Sequence, residues 1–358
     1  SVDHPMISVN LFRQWRRDGS DRLEQLGRGW IKHGFGTAND DECGLGCTNL
    51  HSFDPVNYPG CSDTYAASQF QACDLGPRSI INPYTGVMPA SGALGASGGC
   101  TANYLSRDHR DHVHDEISHR VQVQDADLVN SMNVGARYIS EGQYITPHEF
   151  VDGNGTQNNN VAHRRVLVSG PDPCAGYEFI DQGMSFSQSP AIDAWTGASQ
   201  SLIEPAPLVD GRGFLLQQVT NLGGVWRYDY ALYNMNMDRG FGSLSIPVPP
   251  GVVLSNIGFK FPPNHAPEPH TENYSNTPWS VSTSGGALTW STSSFGTDPL
   301  ANAVRWGSLY NFYFDANTPP MATDAMVGLF KTGGTVVAAT LAPSAGPVDC
   351  NNNTIEDR

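Results

Sequence analysis

The chain has 358 residues, 20 Lys or Arg against 35 Asp or Glu, a formal charge of −15, and 38 Gly plus 25 Pro. Only three lysines occur, Lys32, Lys260 and Lys331, and the arginines are scattered, which excludes a basic nucleic-acid surface. No apolar run approaches the ~20 residues of a membrane span, Gly and Pro break up any long helix, and 39% hydrophobic with 10% aromatic residues excludes disorder.

In chain order, the start Ser1-Val2-Asp3-His4 lacks an initiator Met, as in a chain whose signal peptide has been removed. Alternating patterns predict strands over 23–35, 119–127, 136–146 and 161–169. Between the first two lies a long aperiodic stretch with Cys43, Cys47, Cys61, Cys73, Cys100 and the run Gly92 to Gly99. A loop of that length in a compact chain is stapled, functional or both. Disulfides are expected there over zinc, because the C-x3-C pair Cys43/Cys47 lacks a second close Cys/His pair, and disulfides place the chain outside the cell or on its surface. Cys174 and Cys350 complete an odd set of seven.

The second half is more regular. Strands are predicted over 214–220, 225–234, 244–248, 252–261, 279–283, 287–292, 304–314, 325–331 and 335–341. Turns fall at Asn221-Leu222-Gly223-Gly224, Ser284-Gly285-Gly286 and Thr332-Gly333-Gly334. The expected fold is all-β, with two consecutive β-sandwich domains of jelly-roll or Ig-like type and a long disulfide-stapled loop region. Residues 1–170 form an N-terminal β domain with a cysteine-rich excursion at about 36–118, and 171–345 a C-terminal sandwich. Residues 346–358 open a calcium-repeat or stalk segment.

Several residue groups could carry chemistry. In the segment 109–119, His112 and His114 share a face if extended, and with His109 and His119 they form a Cu- or Zn-binding candidate needing a third ligand such as His33, His148 or His163. Bland readings compete with it: 109–119 as an ionic loop, and His33 as a core histidine between Trp30 and Phe35. Met235 and Met237, with His265 and His270, hold the ingredients of a two-sandwich copper monooxygenase at the wrong spacing. Glu141 and Asp152 are one nameable acidic pair for glycoside hydrolysis. The Gly-x-Ser-x-Gly match at 95–99 has no strand before it and is expected to be loop. Arg78, Arg239 and Arg305, next to Gly/Pro turns, are expected to tie loops to carbonyls and carboxylates. Trp226, Tyr228 and Tyr230 would stack on sugars on an open face, although core packing is the expectation.

Two resemblances follow from particular residues. Asp349, Asn351, Asn353 and Asp357 occupy loop positions 1, 3, 5 and 9 of a Ca²⁺-wrapping pattern, and the segment resembles the opening of a thrombospondin type 3 calcium repeat, with Thr354 at the usual Gly. That resemblance implies Cys350 has its partner beyond the end of the chain. The pieces 30–35 (WIKHGF), 60–63 (GCSD), 75–78 (LGPR), 228–234, 247–259 and 304–316 (VRWGSLYNFYFDA) resemble a family of uncharacterised secreted proteins from planctomycetes and related bacteria. It implies location and domain style and supplies no catalytic residues.

Two functional readings follow. The first is a secreted cell-surface or extracellular structural or adhesive protein, binding an extracellular surface, a glycan or copies of itself, with calcium at its C-terminal stub and no nucleic-acid partner. The alternative is a secreted, metal-dependent oxidoreductase of copper type using 109–119.

Overall fold

The computed structural model describes residues 6–33, 38–42, 44–52, 54, 58–62, 75–87, 121–151, 153, 155–172, 176–264 and 273–345. The chain is nearly all β, in three antiparallel sheets, with strands numbered in chain order. The first sheet runs β3 (Leu75–Gly76), β2 (Ser20–His33), β1 (Met6–Arg17), β4 (Arg137–Ile145), β5 (Val161–Asp172) and β6 (Gly176–Ser187). The second runs β11 (Leu254–Lys260), β14 (Ser308–Ala316), β9 (Trp226–Asn234), β8 (Gly213–Asn221) and β7 (Ser199–Ile203). The third runs β12 (Ser280–Ser284), β13 (Ala287–Ser291), β10 (Phe241–Pro247), β15 (Pro320–Leu329) and β16 (Thr335–Pro343).

The second sheet is the middle layer. Along β9, period-two alternation sends Tyr228, Tyr230 and Leu232 toward the third sheet, where they pack with Tyr310, Phe312 and Phe314 of β14 and with Leu244, Leu288, Trp290 and Val327. The intervening Ala231 and Tyr233, with Leu309 and Leu216, pack the other way against Phe12, Leu23, Ile139 and Val161 of the first sheet. Both faces of β9 are therefore covered, and all but one of its residues are buried. The two halves of the chain meet across this middle layer.

The expected hairpins form at Asn221–Trp226, Ser284–Ala287 and Gly328–Thr335. Four strands escaped the sequence pattern: β3 and β7, only two and five residues long, and β1 and β6, because β1 is buried on both faces through its centre and β6 is exposed along nearly its whole length. Neither β1 nor β6 alternates. One expectation is corrected: over 119–127 the described residues hold no strand, only irregular chain followed by a 3₁₀ turn at Asp125–Asp127. Val121 and Val123 lie flat on the outer face of the first sheet with Leu11, Leu26, Tyr138, Val166 and Val168. Gly27 admits them, since a Cβ there would sit 2.3 Å from the Gln122 carbonyl oxygen. Alternation in this stretch records an extended chain packed on a sheet face, without ladder pairing.

Candidate functional site

Most predicted metal ligands, His109, His112, His114, His119, Asp349, Asn351, Asn353 and Asp357, lie outside the described residues, as do Asp152, His265, His270 and the 95–99 run. His33 is the last residue of β2. His148 sits in the short helix α1 (Pro147–Val151), its Nδ1 3.2 Å from the Thr146 hydroxyl. His163 is a core histidine, stacked on Phe186 at 4.9 Å with Nδ1 2.9 Å from the Ser189 carbonyl. Met235 and Met237 are buried in apolar cores on opposite faces of the middle sheet, the wrong setting for copper ligands. Tyr228 and Tyr230 are core residues and present no face to a sugar. Among the described residues no three His, Cys, Asp or Glu side chains are grouped to hold a metal ion, and no helix is long and apolar enough to cross a membrane. Cys47 and Cys61 form a disulfide that closes a small loop within the expected cysteine-rich excursion.

Polar side chains cluster instead in the seam between the first and middle sheets. Arg22 Nε donates to Asp229 at 2.5 Å, and its guanidinium lies 3.9 Å over the Tyr313 ring. Glu24 accepts from Arg13 at 2.7 Å and from Lys260 at 2.9 Å. Burial pushes the Glu24 carboxyl up, but Lys260 and Arg13 outweigh it and hold the pKa below the ordinary value. Glu141 is fully buried and accepts from Asn10 Nδ2 (2.8 Å), the Tyr233 hydroxyl (3.0 Å) and the Ala191 amide (2.7 Å). Desolvation raises its pKa against those donors. Glu141 thus belongs to the structural seam and has no opening for a substrate.

Two surface features remain. The first is the β5–β6 hairpin, which overhangs the middle sheet. Val161 at the start of β5 still packs on that sheet, but further along the same face Arg165, Leu167 and Ser169 are exposed, paired with Gln182, Ile180 and Glu178 of β6. Leu167 is 51% and Ile180 38% exposed, an apolar centre flanked by Arg165 at one end and Glu178 at the other. The outer edge of β6 is protected by a register shift between His163 and Arg165, across which Arg164 donates to the Gly183 carbonyl and pairs with Asp181 at 2.9 Å.

The second is a cleft of about 220 Å³ where loops from all three sheets converge, lined by Arg28, Arg78, Arg305 and Lys331 with Tyr274, Phe295 and Trp306. Its arginines tie loops as their flanking turns predict. Arg78 donates to the Gly29 and Val9 carbonyls, and Arg305 to the Pro299 and Ala301 carbonyls. Their planes rest on aromatic rings, Arg305 3.7 Å over Tyr274 and Arg78 4.7 Å over Trp306. Arg239, the third such arginine, pairs with Asp210 at 3.2 Å. The loop 298–302 separates this cleft from a second of about 350 Å³, lined by Ser275, Thr277, Ser280, Ser291 and Asn302. Neither cleft carries a sequence motif, because its residues come from distant segments. The available signal was the placement of scarce cations beside aromatic residues in an acidic chain, Arg305-Trp306 above all.

No family model and no curated protein matches the chain. Among solved structures, a GH20 exo-β-N-acetylglucosaminidase from Vibrio harveyi in complex with N-acetylglucosamine is similar over 40% of this chain and 17% of its own, at 10% identity and a TM-score of 0.21. The solution structure of the chitin-binding domain of a hyperthermophilic chitinase from Pyrococcus furiosus is similar over 37% of this chain and 100% of its own, at 11% identity and a TM-score of 0.20. Likeness at that level carries no argument about activity.

Proposed function

We propose that the protein is an extracellular structural or adhesive β module that associates with a second copy of itself through the overhanging face of the β5–β6 hairpin. The Cys47–Cys61 disulfide supports the location, since such bonds persist in oxidising compartments. The observation that carries the association is the arrangement on that face: Leu167 and Ile180 at the centre, Arg165 and Glu178 at opposite ends. A copy packed face to face about a two-fold axis through the apolar pair sets each Arg165 against the other copy's Glu178. The strands then cross near the ~30° of aligned sheet packing. Elsewhere a net charge of −15 repels a second copy, whereas here the charges complement each other. The register shift and Arg164 block open-ended strand addition, so closed pairs are favoured over filaments.

Sedimentation velocity over a concentration series tests this. The wild type is expected to show a dimer, and Ile180→Lys to abolish it while leaving unfolding within about 0.5 kcal/mol, as for an exposed site. Arg165→Glu weakens the pair, and adding Glu178→Arg restores it. A sedimentation coefficient constant up to about 0.1 mM, or a dimer indifferent to Ile180→Lys, overturns the proposal.

A further inference from the structure

We infer that the two clefts flanking the loop 298–302 bind the end of an acidic glycan, with a terminal carboxylate- or sulfate-bearing sugar ring in the cationic cleft and the next, neutral sugar in the hydroxyl-lined one. Four of the chain's 20 Lys and Arg line the first cleft. Asp238 is the only carboxylate among its described lining residues, and it pairs with Lys331 at 2.6 Å on the rim. Guanidinium planes held on aromatic rings keep their in-plane N–H groups fixed, the preorganisation that recognition of a planar oxyanion needs. Arg305 on Tyr274 is such a plane, whereas Arg78 on Trp306 spends Nε and Nη2 on the Gly29 and Val9 carbonyls and on Asn10 and contributes charge alone. Arg305 Nη2 donates to the Pro299 and Ala301 carbonyls, which fixes its guanidinium before any ligand arrives. Phe295 and Leu300, both partly exposed, supply the apolar wall against which the C–H face of a sugar ring packs. Gly307 makes room for the Arg78 guanidinium, since a Cβ there would lie 2.1 Å from Nη1.

Size and charge narrow the ligand. A cleft of about 220 Å³ holds one ring, and a local cationic spot on a chain of charge −15 suits one anionic end group better than a polyanion running over the surrounding surface. The adjoining cleft has no cation among its described lining residues and presents Ser275, Thr277, Ser280, Ser291 and Asn302, matching a ring that carries only hydroxyls. That neighbour favours a glycan end over a free aromatic acid, which shares the carboxylate-on-a-ring chemistry but has nothing to place there.

Calorimetric or NMR titration of the full chain with glucuronate, glucose, 4-hydroxybenzoate and a glucuronate-terminated disaccharide tests the assignment. Glucuronate is expected to bind about tenfold or more tighter than glucose and to weaken with salt, and the disaccharide to bind tighter than glucuronate. Lys331→Met, at the rim, should weaken glucuronate about threefold, and Arg305→Gln about tenfold or more. Because Arg305 also holds the 299–301 loop, Phe295→Ala, which disturbs no tie, is measured beside it and should weaken both sugars. Equal affinity for glucose and glucuronate, or affinities unchanged in Lys331→Met and Phe295→Ala, overturns the site. Hydroxybenzoate binding tighter than the disaccharide overturns the glycan assignment. Binding is read independently of sedimentation, so it succeeds or fails apart from self-association.

Discussion

The two faces of the middle sheet are stabilised by different physics. Toward the third sheet the strands present Tyr228, Tyr230, Leu232, Phe312 and Phe314, whose burial is non-directional and worth roughly 25 cal/mol per Å² of apolar surface. Toward the first sheet the same strands present Asp229, Tyr233 and Asn311, which meet Arg22, Glu141 and the Leu23 carbonyl through directed bonds. Each buried charge there carries a desolvation cost that is offset only while its partner is in place. The aromatic face holds the sandwich together, and the ionic face determines how the first sheet sits on it.

The largest expected effect therefore comes from breaking one partner in the seam. Asp229→Ala leaves Arg22, 2% exposed, without its carboxylate, and should destabilise by about 3–5 kcal/mol in urea unfolding. Replacing both, Arg22→Met with Asp229→Leu, removes the orphaned charge and should recover most of that loss. A double variant no better than Asp229→Ala would mean the seam depends on shape, with charge pairing secondary.

A second test uses pH. Burial raises the Glu141 carboxyl above its ordinary value of 4.5, against the Ala191, Asn10 and Tyr233 hydrogen bonds. A raised acid contributes stability that is present in full below the unfolded-state pKa and is lost as pH climbs through the folded-state pKa. Glu24 has the opposite sign, because Lys260 and Arg13 lower it, and its contribution is lost as pH falls. Glu141→Gln removes only the first of these. The stability of wild type relative to Glu141→Gln, followed by urea unfolding at several pH values, should be highest below the ordinary carboxyl value of 4.5 and decline as pH rises above it. A difference independent of pH would show that the folded-state pKa is not raised.

The same division explains how much the sequence discloses. The all-β class and the second-half strands are legible because Gly/Asn turns punctuate runs such as 214–220 and 225–234 that form β8 and β9. Alternation in β9 discloses one buried face, Tyr228, Tyr230 and Leu232, but Arg227 and Asp229 resemble ordinary solvent-facing residues in the sequence. Their burial depends on Asp315 and Arg22, 88 and 207 residues away. Glu141 is legible as a carboxylate and illegible as a buried one for the same reason. The candidate clefts are legible only as scattered Arg–aromatic neighbours, since segments as distant as Arg28 and Lys331 meet there. On the hairpin, the lack of alternation that hides β6 is the physical sign of a strand with solvent on both faces.

The smallest effect belongs to the aromatic face. Tyr230 adjoins Asp229 in the same strand but points the other way, its hydroxyl donating to the Leu341 carbonyl at 2.6 Å while its ring stacks near Phe314 at 6.0 Å. Tyr230→Phe keeps the ring, the buried area and the packing, and removes one neutral hydrogen bond, so unfolding should lose only about 1 kcal/mol. Burial keeps the phenol protonated, its pKa well above 10, so the loss should stay constant across the range in which Glu141→Gln varies. Neighbouring residues 229 and 230 thus compare the two faces at one point on one strand. A Tyr230→Phe loss as large as that of Asp229→Ala would mean that the aromatic face also depends on directed bonds, and the contrast between the faces would fail there.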